Sequence, residues 1–347
     1  MIEIGHQHGT AAREQVHGSK AFYTDFFKTT AKLEWDAVCD VASRWMPLLE
    51  KSYPQYVDEM RGIADATELP LSSIIALNVR TEVAFGMYSD GCTSLAFHSA
   101  DVGILAQNWD WKGGQGPNLI RLNVKANDGR PAISIITEAG IIGKIGLSSA
   151  GLGVCLNAIT ALGVSPERLP VHIALRAALD WSGEEKGKGA GMARRIADRL
   201  EKAGVASAGH ILLADADEAF GLETSYIDIV EVRKHDVRGG KAVLHSNHYV
   251  EAHPGVKLAS NAMLDSPARL DRIETLIKSD EGPVTEAHVA GWLCDECDFP
   301  ASICRDNKSL GGSETLFRII MDLRTATAKV KPGKPTGDGE TFVLAPK

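Results

Sequence analysis

The sequence predicts an α+β fold in which antiparallel sheets are covered by helices. Three observations support this prediction. Helical and strand patterns occur in separate blocks along the chain, not in strict βαβα alternation. The strand-like segments follow one another through short, turn-rich connections, which favour antiparallel pairing. No segment repeats at a fixed period, so a repeat architecture is not indicated.

The block before residue 90 has the apolar spacing of helices. Residues 8–32 carry apolar side chains at intervals of three and four, and residues 34–51 continue this pattern. Two further helices are predicted over YPQYVDEMRGIADAT and over LSSIIALNVRTEV, the second directly after Leu69-Pro70. The first quarter of the chain is therefore predicted to be helical.

The pattern changes to strands after Gly91. The first predicted strands are CTSLAF, GILAQNW, NLIRLNVKA, PAISIITEAG, GKIGLSS and LGVCLNA. Two helices, VHIALRAALDW and GMARRIADRLEKAG, separate them from HILLADA, EAFGLETS, DIVEVRK and KAVLHSN. Helices return over residues 265–278 and 284–294, and LFRIIMDLRT, TAKVKP and ETFVLA are the last predicted strands.

Composition and charge narrow the possible functions. The 347 residues carry a formal net charge of −8 and no basic stripe, which disfavours a nucleic-acid surface. No apolar run approaches the roughly 18–20 residues needed to span a bilayer, and neither a signal peptide nor a short targeting signal is visible. The six cysteines are irregularly spaced, which is not typical of a disulfide framework. We therefore expect a cytoplasmic protein in a reducing compartment.

The stretch SDGCTSLAF, residues 89–97, places a cysteine at an unusual position. Asp90-Gly91 is a turn signal, and Cys92 opens a strand directly behind the glycine. Most cysteines in such a position are small buried hydrophobic residues. However, Gly91 has no Cβ to block approach to its carbonyl group, so a neighbouring thiol could attack there. The sequence therefore indicates that the bond between Gly91 and Cys92 could be cut through an N-to-S acyl shift.

Two further motifs invite a metal or a nucleotide interpretation. The stretch CDECDFPASICR contains Cys294, Cys297 and Cys304. Structural zinc usually needs four ligands in two paired knuckles, and only one C-x-x-C is present, so packing or a role for Arg305 is favoured. The glycines of SAGLGVCLNA, residues 149–158, do not form G-x-G-x-x-G before a helix, and no Walker A sequence occurs. A dinucleotide-binding or P-loop enzyme is therefore disfavoured.

The stretch HSNHYVEAH, residues 245–253, is a third candidate site. Its histidines could bind a metal, but no H-E-x-x-H pattern accompanies them, so polar groups at the end of a strand are the simpler interpretation. Asn247 within this stretch could donate an amide hydrogen bond to an oxyanion. The histidines are His245, His248 and His253.

Taken together, these stretches resemble one family. DGCTSLAF, GILAQNWDW, NLIRL, ITEAGIIGKIGLSSAGLGVCLNA, PVHIALRAAL, EAFGLE, HSNH and FPASICR are similar, in this order, to the acyl-coenzyme A:6-aminopenicillanic acid acyltransferase (isopenicillin N acyltransferase) family. The resemblance runs from about Asp90 almost to the end of the chain, and more weakly through the N-terminal helices. Because that family belongs to the N-terminal nucleophile (Ntn) hydrolases, the resemblance implies one domain over residues 1–347, a four-layer αββα sandwich of two stacked antiparallel sheets.

The resemblance also implies synthesis as an inactive precursor. Self-cleavage between Gly91 and Cys92 would give an α part, residues 1–91, and a β part, residues 92–347, which stay together as a heterodimer. Cys92 would be the nucleophile, and the α-amine that cleavage exposes would be its base. Ser94 falls where the fungal enzyme has threonine, which implies a role in precursor cleavage.

Three more active-site residues follow from the resemblance. Asp110 would orient Cys92 and its amine, Asn247 would stabilise the oxyanion, and Arg305 would pair with Asp110 and hold it ionised. The implied acyl donor is an amide or an acyl-CoA. The implied acceptor is water or an amine like 6-aminopenicillanic acid, as in penicillin biosynthesis. The resemblance implies no cofactor, metal, nucleic acid or membrane. Two alternatives stay open: an amidohydrolase of small N-acyl amino acids or peptides, and an unprocessed, non-catalytic homologue.

Overall fold

The computed structural model describes residues 1–84, 91–126, 129–259 and 264–347. Its helices are α1 Ile2–Ala11, α2 Arg13–Thr30, α3 Trp35–Ala42, α4 Met46–Ser52, α5 Pro54–Thr67, α6 Leu71–Asn78, α7 Arg80–Val83, α8 Val171–Glu185, α9 Met192–Ala203, α10 Ser266–Ser279 and α11 Glu286–Trp292. Its strands are β1 Gly91–His98, β2 Gly103–Trp111, β3 Leu119–Val124, β4 Ile133–Glu138, β5 Ile145–Ser148, β6 Gly153–Ala158, β7 Ala161–Leu162, β8 Gly209–Ala214, β9 Ala219–Thr224, β10 Ile229–Glu231, β11 His235–Val237, β12 Gly240–His245, β13 Lys257–Leu258, β14 Glu314–Asp322, β15 Thr327–Pro332 and β16 Phe342–Leu344.

Two seven-stranded antiparallel sheets stack face to face. Sheet A has the strand order β11-β12-β1-β2-β14-β15-β16, and sheet B has the order β10-β9-β8-β6-β5-β4-β3. Strands β1 and β2 of sheet A contact β6 of sheet B, while α10 and α11 cover the outer face of sheet A and α8 and α9 cover that of sheet B. The predicted α+β fold with four αββα layers is confirmed.

The central strands are buried on both faces because each sheet has a sheet on one side and helices on the other. Every residue of β1 and of β2 is buried. The side chains of Thr93, Leu95 and Phe97 point towards α10 and α11, and those of Cys92 and Ser94 point into the space between the sheets. This alternation decides which chemical groups can approach the thiol.

The N-terminal helices differ from the prediction at their start. The apolar spacing predicts one helix from residue 8 to residue 32, whereas α1 already begins at Ile2 and α2 is a separate helix after Ala12. Helix α1 packs on α5 almost backbone to backbone, since a Cβ on Gly5 would lie 1.8 Å from the carbonyl oxygen of Glu59. Packing through glycines leaves little apolar periodicity in the sequence, so the sequence pattern does not predict the start of α1.

One end of sheet A gathers the predicted site residues. Antiparallel pairing sets the start of β1 beside the end of β2, with Gly91 opposite Asp110. The end of β12 and the start of β14 reach the same end of the sheet, through the pairs Ser94–His245 and Thr315–Asp110. In the part of the chain that the structure describes, no helix is both long and apolar enough to cross a membrane.

Candidate active site

Cys92 lies in the interior of the protein, between the two sheets. It is the second residue of β1, in the middle of sheet A, and is only 1% exposed. Cys155 on β6 of sheet B belongs to the same apolar cluster. The strand begins at Gly91, so the bond predicted to be cut is part of it, while Asp90 of the predicted turn lies outside the described residues.

Side chains from outside β1 hold the peptide groups of Cys92. The backbone N–H of Cys92 donates to Oδ1 of Asn247 at 2.7 Å. Nη1 of Arg269 donates to the carbonyl oxygen of Cys92 at 2.5 Å, and Nη2 of the same guanidinium donates to Oδ1 of Asn247 at 2.8 Å. Pairing of β1 with β12 begins only at Ser94, so Asn247 and Arg269 continue the hydrogen bonding where the neighbouring strand has ended.

Asp110 and Arg305 lie on the other face of sheet A, behind Gly91. A Cβ on Gly91 would lie 3.1 Å from Oδ2 of Asp110 and 3.0 Å from Nε of Arg305. These separations are shorter than normal carbon contacts, so a glycine fits there and a larger residue would displace the pair. Because Cys92 points to the inner face, Asp110 lies against Gly91, the residue before Cys92, and not against the Cys92 thiol.

The pairing of Arg305 with Asp110 is weaker than the sequence predicts. The distance from Nε of Arg305 to Oδ2 of Asp110 is 3.8 Å, whereas the guanidinium makes a direct ion-paired hydrogen bond to Asp265. Asp110 accepts its shortest hydrogen bond from Oγ1 of Thr315, at 2.6 Å. Burial raises the pKa of Asp110 to about 7, against the opposing effect of Arg305. Arg305 lowers the pKa of Asp110, in the direction that the sequence predicts, but desolvation is the larger effect.

This pKa leads to a prediction about stability. Because the folded chain keeps a proton on Asp110 between about pH 4 and pH 7 that the unfolded chain has released, the free energy of unfolding should fall as pH rises through this window, by up to a few kcal/mol. Asp110→Asn, made in a Cys92→Ala background, should remove this pH dependence. The melting temperature of the double variant minus that of Cys92→Ala should therefore increase between about pH 5 and about pH 8. The exposed Asp236→Asn is the control. A pH-independent difference between Asp110→Asn and the parent would contradict the prediction.

Asn247 is oriented differently from the oxyanion donor that the sequence predicts. Its Oδ1 faces Cys92 and Arg269, and its Nδ2 donates to the carbonyl oxygen of Ala158 at 2.9 Å. The backbone N–H of Asn247 donates to Oγ of Ser266, which fixes the start of its loop. Asn247 is therefore an acceptor towards Cys92, and its NH2 group donates to Ala158.

Ser94 begins a chain of buried polar groups between the sheets. Its hydroxyl donates to Oδ1 of Asn157 on β6 at 2.6 Å, and Nδ1 of His210 lies 3.2 Å from the same oxygen. His210 stacks on His245 with ring centroids 3.7 Å apart, and Nε2 of His245 lies 2.8 Å from Oε1 of Glu223. Burial, with a further contribution from His245, holds the pKa of His210 well below its ordinary value.

The other candidate sites do not form ligand sets. Among the residues that the structure describes, no group of three or more His, Cys, Asp or Glu side chains is arranged to hold a metal ion. Two histidines of residues 245–253 share a carboxylate, since His245 and His253 both contact Glu223. His253 also contacts Asp228, and His248 contacts Ser266. The cysteines of the CDECDFPASICR stretch, Cys294, Cys297 and Cys304, also differ in partners and exposure. The glycine-rich 149–158 stretch forms β6 and its preceding turn, as the strand interpretation predicts.

A buried ion cluster joins the N-terminal helices to sheet B. Glu138 of β4 accepts hydrogen bonds from Arg80 at 2.7 Å and from Lys144 at 2.6 Å, and it also contacts the hydroxyl of Tyr23. Although burial opposes its charge, Arg80 and Lys144 hold the pKa of Glu138 well below its ordinary value. Tyr23 and Arg80 precede Gly91 in the chain, whereas Glu138 and Lys144 follow it, so these bonds would link the two parts of a cut chain.

Arg269 and Asp265 are the site residues that the sequence did not predict. Both are buried, and they lie at the start of α10, facing the end of sheet A. Arg269 contacts Cys92, Thr93 and Asn247, and Asp265 receives the hydrogen bond of Arg305. The local sequence SPARLDRIET gives no sign that one of its arginines faces inward.

Comparisons with known proteins show which family the chain belongs to. Residues 98–336 match the profile of the family described as acyl-coenzyme A:6-aminopenicillanic acid acyl-transferase. The acyl-coenzyme A:6-aminopenicillanic-acid-acyltransferase 40 kDa form of Emericella nidulans is 35% identical over 352 aligned positions, which cover 99% of this chain and 93% of that protein. The alignment with the fungal protein therefore spans nearly the full length of both chains.

Two groups of solved structures resemble the fold at low sequence identity. Penicillin V acylase from Agrobacterium tumefaciens is 12% identical with a TM-score of 0.44, covering 73% of this chain and 86% of that one. A variant of conjugated bile acid hydrolase from Clostridium perfringens is 11% identical with a TM-score of 0.49, covering 73% and 92%. The family profile and the near-full-length fungal relative establish that the chain belongs to the acyl-coenzyme A:6-aminopenicillanic acid acyltransferase family.

Proposed function

We propose that the protein is a self-processing cysteine enzyme that cuts its chain between Gly91 and Cys92 and then transfers acyl groups through Cys92. One observation carries the proposal, namely the set of side chains around this peptide bond. Asn247 accepts from the N–H of Cys92, Arg269 donates to its carbonyl oxygen, and the carboxyl of Asp110 packs against Gly91. A neighbouring strand supplies the hydrogen bonds of β1 from Ser94 onwards, whereas at Cys92 two side chains supply them and leave one side of this peptide free of a paired strand.

Cleavage begins with attack of Sγ of Cys92 on the carbonyl carbon of Gly91. A carbon–sulfur bond forms and the carbon–nitrogen bond breaks, so the Gly91 acyl group moves to sulfur and the thiol proton goes to the released amine. Water then hydrolyses the thioester, which leaves the carboxylate of Gly91 and restores the thiol. Oδ1 of Asn247 already accepts from the nitrogen of Cys92, so it is positioned to accept from the new α-amine as well.

After cleavage, nucleophile and base belong to the same residue. An α-amine titrates near ~7.7–8 and a thiol near ~8.5 in model peptides, so the amine of Cys92 can take the thiol proton close to neutral pH. The thiolate attacks the acyl carbonyl, forming a carbon–sulfur bond while the bond to the amine or to coenzyme A breaks. The proton on the α-amine passes to this leaving group. An acceptor amine or water then takes the acyl group, and the thiol is regenerated.

The oxyanion that forms in each step needs hydrogen-bond donors. Nδ2 of Asn247 is committed to the carbonyl oxygen of Ala158 in the uncut chain. In our proposal this bond is exchanged for one to the acyl oxygen after cleavage, and a donor of this kind contributes roughly 2.7–4 kcal/mol to the transition state. Arg269 keeps the side chain of Asn247 in register with Cys92 by binding both.

The wild-type protein itself tests the proposal. A denaturing gel and N-terminal sequencing should show two fragments, the larger beginning Cys-Thr-Ser. The processed protein, incubated with a panel of acyl-CoAs and 6-aminopenicillanic acid, should give N-acyl products by mass spectrometry; these substrates are chosen because the name of the fungal relative contains them. Hydrolysis of N-acyl amino acids without transfer would identify an amidohydrolase instead. A chain that stays uncut and inactive would contradict the proposal.

A further inference from the structure

The loop after β12, residues 246–253, carries Asn247 and is attached to the rest of the protein at both ends. Near its start, Oγ of Ser266 on α10 accepts from the backbone N–H of Asn247 at 2.6 Å. Near its end, the loop is bound by Glu223, which belongs to β9 of sheet B. Because Oδ1 of Asn247 accepts from the backbone N–H of Cys92 at 2.7 Å, both attachments bear on the geometry at Cys92.

The carboxylate of Glu223 is completely buried, and both of its oxygens bind this loop. Oε1 accepts from the backbone N–H of Val250 at 2.6 Å, and Oε2 accepts from that of Glu251 at 3.0 Å. Nε2 of His245 lies 2.8 Å from Oε1, and Nε2 of His253 lies 3.2 Å from Oε2. A buried carboxylate is costly unless its hydrogen bonds are satisfied, and Glu223 satisfies them with the loop and with the last residue of β12.

The ring nitrogens of the two histidines face only hydrogen-bond acceptors. Nδ1 of His245 lies 2.9 Å from the carbonyl oxygen of Ser246, and Nδ1 of His253 lies 2.8 Å from Oδ1 of Asp228. Carbonyl and ionised carboxylate oxygens only accept, so all the bonds of these two rings form together only when both nitrogens of each ring carry a proton. Although burial opposes its charge, His245 and two backbone N–H groups hold the pKa of Glu223 below its ordinary value.

The segment that joins Glu223 to Asn247 is short. Val250, which Glu223 binds, is three residues after Asn247. Between them, the hydroxyl of Tyr249 donates to the carbonyl oxygen of Thr224 at 2.7 Å, and Thr224 is the residue that follows Glu223 on β9. If the attachment to Glu223 is loosened, Asn247 is therefore held mainly by its bonds to α10 and by those of its own side chain.

We propose that Glu223 is a positioning residue for the reaction at Cys92. Together with two protonated histidines, it holds residues 246–253 against sheet B, and the loop in turn keeps Oδ1 of Asn247 on the nitrogen of Cys92. This inference rests on the proposed function, in which that nitrogen belongs first to the bond that is cut and then to the base. Glu223 takes no part in the chemistry, since both of its oxygens are bound to the loop and to β12.

A kinetic comparison of Glu223→Gln with Glu59→Gln tests this role. Glu59 on α5 is the matched control, because it is also completely buried and its ion pair, with Arg176 at 2.8 Å, joins two helices. Glu223→Gln should lower kcat for transfer from an acyl-CoA by at least about tenfold and leave KM for the donor within about twofold, since Asn247 acts on the reacting atoms. Glu59→Gln should lower the melting temperature and leave kcat within about twofold. An unchanged kcat in Glu223→Gln, or an equal fall in Glu59→Gln, would overturn the proposal.

His253→Gln is a milder variant, which tests the inference if Glu223→Gln does not fold. The charged and titratable groups that face the ring of His253 are Glu223 on β9, Asp228 beyond its end, and Tyr249 of the same loop. A glutamine amide donates to Glu223 at every pH, whereas the histidine ring donates to both carboxylates only while it carries two protons. The ratio of the wild-type kcat to that of His253→Gln should therefore fall as the pH rises from about 6 to about 9, since the titration of Cys92 is common to both proteins. A ratio that does not depend on pH would contradict the role of the protonated histidines.

Hydrogen exchange in the uncut chain separates this inference from the proposed function. In Cys92→Ala, labelling with carbonyl-13C glycine and 15N alanine selects the N–H of an alanine that follows a glycine, which leaves the NMR signals of residue 92 and Ala190. Adding Glu223→Gln should speed exchange at residue 92 by at least about tenfold, and adding His253→Gln by at least about threefold, while Ala190 and the Glu59→Gln control stay unchanged.

The two failures then look different. If the wild-type protein transfers no acyl group but exchange at residue 92 responds in this pattern, the proposed function fails and the positioning of residue 92 by Glu223 stands. If exchange at residue 92 does not respond, Glu223 does not act through Asn247, and the inference is wrong whatever the enzyme does.

Discussion

Replacing Cys92 by alanine should leave one uncut chain of 347 residues with no acyl-transfer activity. The substitution removes the only atom that our mechanism uses both to cut the chain and to carry the acyl group. Without cleavage the nitrogen of residue 92 stays an amide, which is not basic, so both nucleophile and base are lost. We expect activity to fall at least about a thousandfold, as when other nucleophiles are removed. Mass spectrometry of the purified chain and an acyl-CoA assay measure the two effects.

Cys155 provides a matched control for this experiment. It is a buried thiol on β6, in the same apolar cluster as Cys92. Burial is the main reason that the pKa of Cys155 is well above its ordinary value, so its thiol is a poor nucleophile. Cys155→Ala should mature and transfer acyl groups normally. A Cys92→Ala chain that is still cut after Gly91, or that still transfers acyl groups, would show that the nucleophile lies elsewhere.

Much of the fold could be predicted because its strands are short, regular and separated by turns. The stretches CTSLAF and GILAQNW became β1 and β2, and HILLADA and EAFGLETS became β8 and β9. Helix α1 was missed before residue 8, because Gly5 and Gly9 let it approach α5 without an apolar stripe. Its position is determined by contacts between segments far apart in the sequence, which local periodicity does not record.

The candidate site was predicted only where a side chain belongs to a long motif. Cys92, Asp110, Asn247 and Arg305 come from distant parts of the chain, and the structure gathers all four around the start of β1. The local sequence does not predict the electrostatic environment of these side chains. The raised pKa of Asp110 arises from burial, and burial depends on the packing of both sheets and α10.

A comparison of Arg269 with Arg272 on the same helix shows most clearly what the local sequence does not predict. Both stand in SPARLDRIET, three residues apart, and nothing in that stretch distinguishes them. Arg269 is completely buried against Cys92, whereas Arg272 keeps 29% of its side chain exposed and pairs with Asp295. Arg269 lies on the face of α10 that packs against sheet A, and Arg272 does not. Which face of the helix packs there is determined by the tertiary structure.

We expect Arg269→Ala to slow self-cleavage strongly while most of the chain still folds. The guanidinium donates to the carbonyl oxygen of Cys92 and to Oδ1 of Asn247, so its loss removes two hydrogen bonds that hold Cys92 at the bond we propose is cut. Hydrogen bonds to charged groups contribute about 1.5–3 kcal/mol each. If each bond is needed to hold the reacting geometry, its loss slows cleavage by about tenfold to hundredfold. The rate of appearance of the fragment beginning at Cys92, followed by mass spectrometry, measures this effect.

A role in positioning can be separated from a role in stability by chemical rescue. Arg272→Ala removes the same side chain from the same helix and breaks the ion pair with Asp295, so it should lower the melting temperature without slowing cleavage. Guanidinium ion, added far below concentrations that unfold proteins, can enter the space left by Arg269→Ala and donate to Cys92 and Asn247 again. Cleavage of Arg269→Ala should then recover, while the melting temperature should not. If guanidinium restores nothing, and Arg272→Ala slows cleavage as much as Arg269→Ala does, then Arg269 supports only the fold of α10 and does not position the bond that is cut.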